Sequence, residues 1–152
     1  MKTYQFVAAT SVPATPEGLF LFHENPQNIS RIAPPSLKVR SVECASEAVE
    51  GSEFRILASQ FGMPINWVGR WERVVKPSLL IDVAVRSPFK VWRHSHSFEA
   101  DGIATVMSDK VEYLLEGGMA GRLVSAWILP LVFRKMFLER HKATRRWFGE
   151  RQ

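Results

Sequence analysis

Apolar and polar positions alternate along TYQFVAATSV, residues 3–12, with the period of a half-buried strand. TPEGLFLFHEN then changes the period. Thr15 stands where a helix N-cap belongs, Pro16 occupies the first helical position, and an apolar stretch follows, so a short helix is expected. NPQNISRIAPP predicts a second short helix, ended by Pro34 and Pro35 because a residue preceding proline is pushed out of helical geometry. Alternation returns six times, over 37–45, 52–61, 65–75, 79–86, 90–100 and 103–115. The joints EAVEG, GMP, KPS, SPF and DG are short enough to imply antiparallel neighbours in a meander. GGMAG at 117–121 breaks the sheet, and 122–149 is expected to form one long helix, about 40 Å at roughly 1.5 Å per residue.

This order of elements is α+β. A curved antiparallel sheet of about seven strands must bury one face, and the C-terminal helix is there to cover it. A sheet that bends round the helix without closing leaves a cavity between them.

Composition narrows the picture. The 152 residues are 46% hydrophobic and 23% charged, which suits one domain over 1–152. Five Trp and ten Phe are enough for a core and for an aromatic-lined pocket as well. Cys44 is the one cysteine, so no intrachain disulfide forms. The N-terminal stretch has no apolar signal segment, and the uncharged run 123–133 is interrupted by Pro130, short of the roughly 18 residues a span requires. A cytoplasmic location is expected. Net charge is +5, and residues 134–152, with seven basic and two acidic side chains, hold all of it. Charge confined to one terminal segment is no footprint for nucleic acid, so no nucleic-acid partner is expected.

Half of the four histidines fall in KVWRHSHSFEADGIATVMSDKVEY. Side chains alternate along a strand, so Trp92, His94, His96 and Phe98 share a face, and the aromatic pair marks it as the inner one. Two residues' spacing puts the imidazoles about 7 Å apart. Asp101-Gly102 between alternating runs predicts a two-residue type I′ turn. Pairing Ala100 with Ile103 then sets Trp92 against Val111, His94 against Asp109, His96 against Met107 and Phe98 against Thr105. A His94–Asp109 contact inside the sheet follows. On the long helix, Pro130, Phe133, Met136, Phe137, Thr144, Trp147 and Phe148 gather on one side with Arg140 among them; Arg134, Lys135, Lys142, Arg145 and Arg146 take the solvated side. An arginine on an apolar face requires a partner, and Asp109 is the carboxylate predicted to face it.

A cluster of His94, His96, Asp109 and Arg140 in an aromatic cavity admits four uses. It ties helix to sheet, or orients the polar end of a bound molecule. A histidine held by Asp109 moves protons, with His94, His96 and Asp109 as the catalytic candidates. Finally, His-x-His with one carboxylate supplies three metal ligands. No fourth donor is apparent and an arginine stands beside them, so no metal or other cofactor is expected. Trp67 and Trp71 share a strand face and, with Trp92 and Tyr113, extend the aromatic wall. Phe61-Gly62-Met63-Pro64 is a turn placed to gate a pocket, and Met63 and Met119 suit an adaptable rim. There is no Gly-rich phosphate loop, no G-x-S-x-G and no Cys/His dyad, which sets aside nucleotide enzymes and the common hydrolases.

The order of elements, the WRHSHSF and SDKVEY strands and the FLERHKATRRWF helix resemble the SRPBCC superfamily (START, birch-pollen-allergen and polyketide-cyclase-like proteins), its small bacterial single-domain members above all. The resemblance spans essentially the whole chain. It implies the helix-grip fold and binding of a small hydrophobic or amphipathic ligand of lipid, polyketide or aromatic type. Trp67, Trp71, Trp92, Phe98, Tyr113, Phe133 and Phe137 are then the apolar walls, and His94, His96, Asp109 and Arg140 orient the ligand. The same resemblance makes a cyclase- or dehydratase-like enzyme with a cavity histidine the alternative. A membrane-surface or protein-interaction role through the basic helix, where Ile128, Leu131 and Leu138 adjoin the cations, is the third reading.

Overall fold

The computed structural model describes residues 1–149; Glu150, Arg151 and Gln152 of the basic C-terminal segment lie outside the described residues. Strand β1 (Tyr4–Val12) leads into α1 (Pro16–His23), a 3-10 turn (Pro26–Asn28) and α2 (Ile29–Ile32). The meander follows as β2 (Leu37–Glu43), β3 (Glu53–Gln60), β4 (Met63–Val75), β5 (Leu79–Arg86), β6 (Phe89–Asp101) and β7 (Ala104–Leu115). Two helices close the chain, α3 (Gly118–Trp127) and α4 (Leu129–Gly149). The strands form one antiparallel sheet in the order β1-β7-β6-β5-β4-β3-β2, so the first strand returns to lie beside the last.

Local chemistry explains the starts and stops. Thr15 Oγ1 accepts the Gly18 N–H at 3.1 Å and caps α1 as its sequence position implies. Asn25 does the same for the 3-10 turn through Gln27 N, also at 3.1 Å. Ala33, ahead of the two prolines, is extended (φ −63°, ψ 138°), which ends α2.

The single helix expected over 122–149 is instead two. Pro130 inside a continuous helix would lack an N–H and press its ring on the carbonyl four residues back. The chain breaks at Ile128 (φ −100°, ψ −50°) and restarts at Leu129, which moves Pro130 into a first turn where no N–H is required. Helix α3 also begins four residues earlier than expected. Gly121 packs so closely on the end of β7 that a Cβ there would lie 2.3 Å from the Glu116 carbonyl oxygen. Tyr113 fastens the joint: its hydroxyl donates to the Ser125 carbonyl at 3.0 Å, while Ser125 Oγ accepts from Leu115 N at 2.9 Å.

Two apolar clusters fill the space between sheet and helices. One joins Leu19 and Phe20 of α1 to Phe54, Trp71, Leu80 and Phe98 of the sheet. The other joins Phe133 and Phe137 of α4 to Val111 and Tyr113 of β7. The inner faces of β5, β6 and β7 pass between them, and there the buried residues turn polar.

Candidate functional site

Four histidines and two aspartates meet at this seam. His94 and His96 project inward from β6 with 4% and 5% of their surface exposed; Asp109 from β7 has 2%, Asp82 from β5 7% and His141 from α4 4%. The carboxylate of Asp109 is the hub. Its Oδ1 accepts from His94 Nε2 at 2.8 Å, and its Oδ2 from His141 Nε2 at 2.5 Å. His96 Nδ1 stands 3.1 Å from the same Oδ1 but out of line, and is left without a hydrogen bond. On the other side, Asp82 Oδ2 lies 3.3 Å from His96 Nε2 and 4.0 Å from His94 Nδ1. The imidazoles of His94 and His96 lie against each other at a tilt of 39°, with ring centres 3.8 Å apart. His23, at the end of α1, hydrogen-bonds the Leu19 carbonyl through Nδ1 at 2.8 Å and sets its ring 5.6 Å from that of His96.

The expected His94–Asp109 contact is made, but by a different register. Asp101 pairs with Ala104, so the β6–β7 loop is Gly102-Ile103 and not Asp101-Gly102. Gly102 alone in this turn takes positive φ (+63°), and Asp101 stays extended in the strand. The two-residue shift keeps every side chain on its predicted face. It sets His96 opposite Asp109, His94 opposite Val111 and Trp92 opposite Tyr113, and His94 reaches the carboxylate on the diagonal.

Arg140 is not the partner of Asp109. The buried stripe of α4 runs through Phe133, Phe137, His141 and Thr144, and Arg140 falls beside it, half-buried. Among the described residues no carboxylate lies within ion-pair distance of its guanidinium, which sits 5.8 Å from the Phe137 ring centre. The stripe's 4-4-3 spacing was visible in the sequence and pointed to His141. Asp82 was visible too, as the one charge in the apolar strand LLIDVAVR ahead of its terminal arginine; its direct partner across β5–β6 is His94. Arg145, expected in solvent, is half-buried and donates to Thr10 Oγ1 at 2.5 Å.

The aromatic residues divide. Trp67, Phe89, Trp92 and Phe133 form one shell, with Trp67–Trp92 ring centres at 5.1 Å and Trp92–Phe133 at 5.8 Å. Trp92 and Phe137 flank His94 at 6.0 and 5.5 Å. Phe98 packs on His23 at 5.3 Å. Trp71 belongs to the other cluster, against Phe54, and Tyr113 turns its hydroxyl away to Ser125. The paired imidazoles lie against Trp92, Phe137 and His23. Two cavities lie elsewhere. One of about 30 Å³ sits between α2 and α4, lined by Ile29, Ala33, Pro34, Leu37, Met136, Phe137 and Arg140. The other, about 280 Å³, sits at the β7–α3 joint beside Met1, Lys90, Leu114 and Met119. Neither is lined by a histidine. The Phe61-Gly62 turn and Met63 join β3 to β4 and are exposed.

The architecture is shared with solved structures. A START superfamily protein from Mycobacterium smegmatis has a TM-score of 0.75 at 9% identity, over 97% of this chain and 99% of that one. The major latex-like protein 151 of Panax ginseng gives 0.74 at 11%, over 96% and 97%. A protein of Thermus thermophilus gives 0.72 at 17%, over 94% and 95%. The chain has the helix-grip fold. No protein-family model matches it, and no curated protein matches its sequence.

Within this helix-grip interior the charges are unevenly held. Burial alone would raise the Asp109 carboxyl, yet hydrogen bonds from His141 and His94, with His96 close by, hold it well below the usual carboxylate range. Burial, with the neighbouring His96, lowers His94 to about 4 against the pull of Asp109. His23 falls to about 3 through burial, His96 and Arg140. His96 goes the other way: burial lowers it, but Asp109 and Asp82 outweigh that and raise it. Burial thus disfavours a proton on His94 and His23, whereas the two carboxylates beside His96 favour one there. No helix among the described residues is long and apolar enough to cross a membrane.

Proposed function

We propose that this chain binds a small amphipathic molecule at the mouth between α2 and α4, its polar end directed at Arg140 and the histidine–aspartate cluster below. The observation that carries this reading is a connected set of buried polar groups inside an aromatic shell, where a core serving only stability would be apolar. The START superfamily fold supports it. The cleft at the mouth already has the required character: Ile29, Leu37, Met136 and Phe137 offer apolar walls, and Arg140 offers a cation without a carboxylate partner among the described residues.

Its volume of about 30 Å³ is that of a single water, against roughly 300 Å³ or more for a ligand pocket. Binding thus requires the lid to move. Helix α2 suits that part: it has four residues, lacks a side-chain cap bond and is followed by Ala33-Pro34-Pro35, features of a segment with low local stability. Lifting it exposes Phe137 and the imidazoles behind.

The test is a fluorescence titration with 8-anilinonaphthalene-1-sulfonate, an anion on an apolar body. Saturable one-to-one binding is expected, weakened about tenfold or more by Met136→Trp, which fills the mouth, and by Arg140→Gln, which removes the cation. Binding that is indifferent to both substitutions contradicts the assignment.

A second reading has its own observation. Trp127 is 75% exposed and Leu131 69%, and Leu123 on α3, Ile128 at the break and Leu138 on α4 are also exposed, beside Arg134 and Lys135. An apolar ridge flanked by cations fits an anionic lipid surface. Salt-sensitive sedimentation with phosphatidylserine vesicles, abolished by Trp127→Ser with Leu131→Ser, is the expected outcome; no sedimentation removes this reading.

A further inference from the structure

We infer that Asp82, His94 and His96 form a binding site for one divalent transition-metal ion, with Asp109 as the group that orients its ligands. The site lies within the histidine–aspartate cluster toward which the proposed ligand points, and its test requires no such ligand.

The three side chains stand on the two rigid neighbouring strands β5 and β6, Asp82 directly opposite His94 and His96 two residues on. One ligand atom from each lies within 4.8 Å of the other two. A tetrahedral ion with bonds of about 2.0–2.1 Å requires donor atoms about 3.3–3.5 Å apart. Asp82 Oδ2 to His96 Nε2 is already 3.3 Å, Asp82 Oδ2 to His94 Nδ1 is 4.0 Å, and the three ligand atoms lie within 4.8 Å of one another, so closing on an ion requires a side-chain adjustment and no movement of the strands.

Proton placement favours a cation at the centre. Asp109 is a carboxylate and accepts, so His94 carries its proton on Nε2 and turns the lone pair of Nδ1 toward Asp82. Two acceptors then face each other across 4.0 Å with no proton between them. His96 shows the complementary defect. Its buried Nδ1 lies 3.1 Å from Asp109 Oδ1 but off line, without a hydrogen bond. Drawing Nε2 onto a shared ion turns the ring and brings Nδ1–H toward Asp109. One carboxylate oxygen then steadies both imidazoles, and the other is held by His141 Nε2. Metal-bound imidazoles characteristically donate their second nitrogen to a carboxylate in this way. A divalent ion also neutralises two buried carboxylates while every imidazole stays neutral, which lowers the cost of burying them together.

Two histidines and one carboxylate leave positions open for water or a substrate atom, the pattern of catalytic zinc and mononuclear iron sites and not of closed structural ones. Sequence reading set a metal aside because only three donors were seen beside an arginine. The structure removes the second ground, since Arg140 forms no ion pair with Asp109, and it changes the donor set: Asp82 stands as the carboxylate ligand, which leaves Asp109 free to orient the rings.

The experiment uses the full chain after chelator treatment, with Co²⁺ and Zn²⁺ as probes. Co²⁺ is expected to bind at about one per chain with visible d–d bands of a low-coordinate N/O site, and Zn²⁺ to raise the melting temperature. Asp82→Asn and His96→Gln abolish both signals; Asp109→Asn weakens affinity about 10–100-fold; Glu99→Gln, exposed on the same strand β6, leaves it unchanged. In case the core variants fail to fold, X-ray absorption at the zinc edge of the wild-type protein is decisive, with two imidazole shells expected. Absence of d–d bands and of a melting shift overturns the site, as does a sulfur-containing or all-oxygen zinc shell, or equal binding by folded Asp82→Asn.

Discussion

His96 stands directly across the β6–β7 pair from Asp109, yet the strand imidazole that hydrogen-bonds this carboxylate is the diagonal one, His94, at 2.8 Å. The diagonal reach leaves His96 between Asp109 and Asp82, with a carboxylate at each ring nitrogen. Removing either charge has different consequences for the two rings.

Asp109→Asn takes the negative charge from a residue 2% exposed that serves three imidazoles. Breaking a buried charge pair by deleting one partner costs about 3–5 kcal/mol. A loss in that range is expected in urea unfolding, larger than for Asp82→Asn, whose carboxylate contacts two rings at longer distances.

In metal-free protein, stability is expected to fall as pH drops below about 6.5, the unfolded histidine value. His23 is held down to about 3 by burial, His96 and Arg140, with its Leu19 bond and Asp109 opposing. Its folded value is lowered, so the unfolded chain takes up the proton first. The contribution is complete above the unfolded value and is lost on the way down to about 3. His96, raised in the fold, has the opposite sign: its contribution is complete below the unfolded value and is lost as pH rises through the folded one. Melting temperature against pH should therefore pass through a maximum, and His23→Gln should flatten the acid limb alone.

The β3–β4 turn carries a stabilising substitution in waiting. Gln60 pairs with Met63, so the loop is Phe61-Gly62, and both take positive φ, +51° and +79°. This is the arrangement of a type I′ turn, in which a large aromatic residue at the first position is strained and asparagine is at home. Phe61→Asn should raise stability by about 0.5–1 kcal/mol by thermal unfolding. Phe61 is 63% exposed, so little packing is lost.

What was legible in the sequence follows from the range of each force. Strands, caps and the meander are written in local alternation, and Thr15, Pro16 and Pro34 behaved as their positions require. Which residues face inward was also legible, because a register error of two leaves faces unchanged. The register was not. It turned on whether Asp101 or Ile103 joins Gly102 in the turn, a choice the neighbouring strands make jointly. The helix break at Ile128 was marked by Pro130; on α4 the wide apolar face drawn from Pro130 to Phe148 took in Arg140, whereas the narrower buried stripe runs through its neighbour His141. Asp82 comes from a strand outside the hairpin, so only the sheet order β7-β6-β5 brings it to the histidines.

The central claim is the buried hub itself, one carboxylate fixing the tautomers of His94 and His141. Long-range ¹H–¹⁵N correlation of the histidine side chains at neutral pH measures it directly. Slowly exchanging Nε2–H protons are predicted on His94 and His141, with a lone pair on His94 Nδ1, and both protons are lost in Asp109→Asn. A His94 protonated on Nδ1 alone, or rapidly exchanging averaged signals from both rings, would contradict it.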